Sequence, residues 1–107
     1  MEELVECLKI AMIKELERAN KKFQMFQSTH EGYAVLLEEV EEVQEEVEQI
    51  KESLEILWEG TKRYWTSESL IKRCEKIKKH AILNAAESIQ VAAMAEKFIN
   101  SQIKGGK

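Results

Sequence analysis

Apolar side chains recur along this chain at steps of three and four, the spacing of one face of an α-helix. In the first segment Leu4, Leu8, Ala11, Met12, Glu15, Leu16 and Ala19 share a face, while Lys9, Lys14, Glu17, Arg18 and Lys21 fall elsewhere. Phe23 and Phe26 follow and are expected to close the core at the end of this helix. Leu36, Val40, Val43, Val47, Ile50, Leu54 and Leu57 then alternate steps of four and three, a heptad stripe suited to packing along another helix. A third stripe holds Leu70, Cys74, Ile77, Ala81, Ala85, Ile89, Ala92 and Ile99 on one face.

The joints between these stripes are legible. Ser28 and Glu31 have the spacing of a capping box and start the second helix. Gly60 is its expected stop, and Thr66 or Ser67 the N-cap of the third. No segment alternates with a period of two, so no strand is expected. The predicted fold is all-α, three to four long helices forming a bundle, with the count resting on whether the last stretch breaks near His80. Residues 1–107 read as one domain with a tail from about 104. Val35, Leu37, Ile56, Ile71 and Ile82 flank the main stripes, and this surplus predicts completion of the bundle by homo-oligomerisation, as a dimer or tetramer.

Composition narrows the class. At 44% apolar and 34% charged residues the chain is neither disordered nor membrane-embedded, and charges interrupt its opening segment, so a cytoplasmic location is expected. Cys7 and Cys74 lack metal or redox spacing and read as core fillers. The net charge of −4 argues against nucleic acid as a partner. That average hides segregation: seven glutamates between Glu38 and Glu48, then seven basic residues between Lys62 and Lys79. Two solvated faces neutralising one another is the simplest reading of such runs.

The acidic run has a second reading. Glu38/Glu42, Glu41/Glu45 and Glu42/Glu46 repel at i,i+4, each by roughly 0.2–0.5 kcal/mol, unless solvent or a cation relieves them. Glu39 and Glu42 flank the Val43 stripe and can point toward a neighbouring helix. Glu87 is the one carboxylate in a stretch of small and apolar residues from Ala85 to Ala93. It is either a hydrogen-bonded structural residue or a ligand for a hard divalent ion such as Mg²⁺.

The run His30-Glu31-Gly32-Tyr33-Ala34-Val35-Leu36-Leu37-Glu38-Glu39-Val40-Glu41-Glu42, with the later Glu87-Ser88-Ile89-Gln90-Val91-Ala92-Ala93-Met94-Ala95, resembles the MazG-like nucleotide pyrophosphohydrolases. The resemblance is to the short forms of phages and prophages, whose pattern is EExxE on one helix and ExxD or ExxN on a later one. It implies an all-α oligomer that holds Mg²⁺, or Mn²⁺, and cleaves a nucleoside triphosphate to a monophosphate and pyrophosphate. By that implication Glu39, Glu42 and Glu87 are metal ligands, and Glu38 is a ligand or water-orienting base. Glu38, Glu39 and Glu42 form the catalytic set. Gln90 stands where the family has Asp or Asn; as an auxiliary ligand it brings an amide oxygen without negative charge. Asn84, three residues before Glu87, offers another oxygen.

The remaining candidates have plainer readings. His30 caps or packs at a helix entrance, and His80 is expected to be solvated. Trp58, Tyr64 and Trp65 are expected to cover the end of the bundle or an interface, or to stack on a base. Lys62, Arg63, Lys72, Arg73, Lys76, Lys78 and Lys79 are candidates for phosphate contact. The rival to a hydrolase is a non-catalytic helical oligomer serving as a binding or regulatory module.

Overall fold

A computed structural model describes residues 1–22 and 25–105, the side chain of Lys104 excepted. Among the described residues there are three α-helices and no strand: α1 (Glu2–Asn20), α2 (Thr29–Lys62) and α3 (Ser67–Gly105). The third stretch is therefore one helix that runs unbroken past His80. Ala, Lys and Ile are its commonest residues and no proline interrupts it. The expected role of Phe23 lies outside the described residues, as does Gly106. None of the helices among the described residues is long and apolar enough to cross a membrane.

The helix ends show how the chain sets its registers. At the start of α2 the Glu31 N–H donates to Ser28 Oγ at 3.1 Å. The reciprocal bond comes from the Gln27 N–H to Glu31 Oε1 at 2.8 Å, one residue before the position a capping box uses. At the start of α3 the Ser69 N–H donates to Thr66 Oγ1 at 3.3 Å, which makes Thr66 the N-cap.

Gly60 does not stop α2. The helix continues to Lys62, and the Trp65 and Tyr64 N–H groups donate to the Gly60 and Thr61 carbonyls in a Schellman arrangement. Tyr64 takes the left-handed position (φ 54°) that glycine usually fills. Gly60 is needed for room instead: a Cβ there would lie 2.3 Å from Trp65 Cε3.

The chain divides into two compact units, Met1–Val40 with Glu87–Lys107, and Glu41–Ala86. In each, α2 and α3 run antiparallel. In the first unit Phe98 packs on Gly32, and the Phe26 N–H donates to Ser101 Oγ at 3.0 Å. In the second, Asn84 Nδ2 donates to the Val43 carbonyl at 3.3 Å.

The packed faces are rotated from the expected stripes. On α2, Val43, Val47, Ile50 and Leu57 are half-buried as expected, but Val40 and Leu54 turn outward, Leu54 to 56% exposure. Glu39, Glu42, Glu46 and Ser53 take places on the covered side, Ser53 with only 5% exposed. On α3 Leu70, Ile77 and Ile89 are covered as expected, together with Arg73, His80, Asn84, Glu87, Val91, Met94 and Phe98 and the fully buried Ala93, while Cys74, Ala81, Ala85, Ala92 and Ile99 are exposed. A single neighbouring helix covers an arc narrower than the apolar arc these helices carry. Both cysteines are exposed rather than core fillers, because α1 buries no residue and Cys74 lies beside the covered face.

Candidate functional site

Helical periodicity divides the acidic run of α2 into two faces. Glu38, Glu41, Glu45 and Glu48 face solvent; Glu39, Glu42 and Glu46 are half-buried. In the first unit, Glu39 and the half-buried Glu87 of α3 each bring a carboxylate oxygen within 4.8 Å of the other. Glu39 also buries its Oε2. Glu42 follows one turn along the same helix and is half-buried as well.

These are hard oxygen donors, partly withdrawn from water, with carboxylates outnumbering any neutral group. That donor chemistry fits a divalent cation of the Mg²⁺ or Mn²⁺ kind, which takes one or two carboxylates and completes its shell with water and phosphate oxygens. It does not suit a thiolate- or imidazole-seeking metal, since both cysteines lie exposed elsewhere on the helices.

Gln90, one turn after Glu87, is half-buried and its amide donates to Glu15 of α1. Arg18 also donates to Glu15 through both Nε and Nη2. The Arg18 guanidinium, and after it the Gln90 amide, hold the Glu15 carboxyl below the usual carboxylate range. Glu15 is thus a third-helix contribution to the surroundings of Gln90. Its signal in the sequence was a carboxylate on the apolar face of the first stripe.

In the second unit His80 is not solvated. Its Nδ1 lies 2.7 Å from Glu46 Oε2, both side chains mostly covered. Asn84 spends its amide nitrogen on the Val43 carbonyl. His30, by contrast, is exposed in the first turn of α2. Trp65 covers Gly60, but Trp58 and Tyr64 stand 59% and 93% exposed.

Several of the basic candidates are engaged locally. Lys62 and Arg63 pair with Glu59, whose carboxyl the Lys62 hydrogen bond lowers most, and Lys72 pairs with Glu68. Arg73 lies half-buried on the covered face of α3. No family model, curated protein or solved structure matches the chain.

Proposed function

We propose that this protein hydrolyses a nucleoside triphosphate to a monophosphate and pyrophosphate with Mg²⁺, or Mn²⁺ in its place, as the MazG-like enzymes it resembles do. The observation that supports this is the approach of Glu39 and Glu87 from separate helices, with Glu42 on the next turn. Carboxylates brought this close repel one another, and a divalent cation among them relieves that repulsion.

Glu39, Glu42 and Glu87 hold the metal in this reading, and the exposed Glu38 takes the proton of the attacking water or adds a ligand. Gln90, its nitrogen engaged with Glu15, keeps its amide oxygen as an auxiliary ligand. The bound metal polarises the phosphate oxygens and neutralises charge that develops on them. Assembly as a homodimer or tetramer belongs to the proposal. Leu4, Val5, Leu8, Ile10 and Ile13 of α1 and Leu37, Val40 and Leu54 of α2 are exposed apolar side chains that a second copy would cover.

A non-catalytic oligomer is the second reading, favoured by one observation. The family's acid position is filled by Gln90, which is tied to Glu15. Pyrophosphate release from a panel of ribo- and deoxyribonucleoside triphosphates with Mg²⁺ decides between the two. Release by the wild type and its loss in Glu42→Gln support the hydrolase; no release from any nucleotide refutes it. Light scattering that returned the 12.4 kDa monomer mass at micromolar concentration would refute the assembly.

A further inference from the structure

Lys97 of α3 is only 7% exposed, in the first unit. Its Nζ lies 4.9 Å from the Phe26 ring centroid, and no carboxylate among the described residues pairs with it. The stem of Lys97 is covered, while its ammonium keeps access enough to donate to an acceptor that approaches it. Beside it is a cavity of about 260 Å³, with Phe26, Gln27, Glu31, Val35 and Met94 among its other walls.

The cavity belongs to the same unit as Glu39 and Glu87. Lys97 stands ten residues beyond Glu87 on α3, and Glu31 eight before Glu39 on α2, so at 1.5 Å per residue it is roughly 12–15 Å from the carboxylates. That exceeds the reach of a triphosphate chain held at the carboxylates but falls within the length of a whole nucleotide. The volume suits one heterocyclic ring system, not a complete ligand.

We infer that this cavity takes the base of the nucleotide and that Lys97, with Glu31, selects bases carrying a ring carbonyl beside a ring N–H. This rests on the hydrolase reading for its substrate. Val35, Met94 and Phe26 supply apolar walls for the ring. Lys97 can only donate, and a ring carbonyl is its natural acceptor. Glu31 accepts the Gln27 N–H on Oε1, which leaves Oε2 for the ring N–H adjacent to that carbonyl. Guanine, uracil and thymine present this edge. Adenine and cytosine put an amino group where the carbonyl would be, setting donor against donor.

The test compares wild type, Lys97→Met and Lys97→Arg on GTP, UTP, ATP and CTP with Mg²⁺. Calorimetric titration with α,β-methylene analogues of GTP and ATP runs alongside. In the wild type kcat/KM should favour GTP and UTP by about tenfold or more, since a site built to hydrogen-bond a group rejects bases lacking it. Lys97→Met should lose that preference through KM with kcat little changed, and Lys97→Arg should retain it. Methionine keeps the buried stem, so the variant is expected to fold. Hydrolysis without base preference, or a preference intact in Lys97→Met, overturns the base pocket and leaves the hydrolase standing. No hydrolysis, but Lys97-dependent preference for the GTP analogue in binding, overturns the hydrolase and leaves the pocket. Absence of both overturns both.

Discussion

His80 Nδ1 lies 2.7 Å from Glu46 Oε2, and the pair sits on the covered faces of α3 and α2 where apolar side chains ordinarily meet. Asn84 reaches the Val43 carbonyl one turn away, so this stretch of the packed face is polar and satisfied. Removing one partner leaves the other without its acceptor or donor. His80→Ala should cost about 1–3 kcal/mol in urea unfolding, and Glu46→Ala a similar amount. Replacing both with Leu should be nearly neutral or stabilising, because apolar residues fill the same space without desolvating a polar pair. A double replacement as harmful as the sum of the single ones would show the pair to be uncoupled.

Gly60 and Tyr64 make opposite predictions at the α2 terminus. An alanine at 60 would press its Cβ into the Trp65 indole, at a cost of about 1–3 kcal/mol as the ring shifts. Tyr64 holds a left-handed φ with its side chain almost wholly in solvent. Tyr64→Gly removes a strain of about 1–2 kcal/mol, offset in part by glycine's greater freedom when unfolded. A net gain of about 1 kcal/mol in unfolding free energy, seen as a higher urea midpoint, is expected. Both tryptophans lie close to this turn, so their fluorescence reads both variants.

The physical limits of sequence reading are visible at these same residues. Ser28 with Glu31 announced the start of α2, and Thr66 or Ser67 that of α3, because cap chemistry is local. The stripes revealed that the segments are helical but not which part of each apolar arc is covered. That choice depends on the neighbouring helix, and it placed Glu39, Glu42, Glu46 and His80 inward and Val40 and Leu54 outward. Glu39 and Glu87, whose carboxylates approach one another in the first unit, had both been singled out on the sequence by resemblance to a family motif. Glu15 was not, since its contact with Gln90 joins α1 to α3 across most of the chain's length. Gly60 misled because a glycine near a helix end usually stops it; here the space under Trp65 decides.

Acid should weaken the α1 contact before neutral pH does. The Glu15 carboxyl titrates below its ordinary 4.5 because Arg18, and then Gln90, favour its charged form. The folded chain therefore binds this proton less readily than the unfolded chain. The stability it contributes is present above the ordinary value and is lost as pH falls through the lowered one. Wild type should lose stability below about pH 4.5 more steeply than Glu15→Gln, read as urea midpoints between pH 3 and 7. Parallel pH profiles for the two proteins would remove Glu15 from this account.

Metal binding and stability should be coupled through Glu42 and Gln90. If Mg²⁺ is held by Glu39, Glu42 and Glu87, it relieves their repulsion and stabilises the folded chain by mass action. At ten times its dissociation constant the gain is about 1.4 kcal/mol, or roughly 5–8 °C in Tm for a chain of this size. Glu42→Gln deletes one member of a like-charged cluster, so without metal its Tm should hold or rise, while the Mg²⁺ increment collapses. Gln90→Asp does the reverse. It places a charge where an amide now donates to Glu15, which should lower the metal-free Tm and enlarge the Mg²⁺ increment. If the carboxylates are only a solvated face, Mg²⁺ acts as a screening salt and all three proteins respond alike at matched ionic strength. Melting curves of the wild type, Glu42→Gln and Gln90→Asp with and without Mg²⁺ separate these outcomes, because only a shared site makes the two substitutions move the metal response in opposite directions.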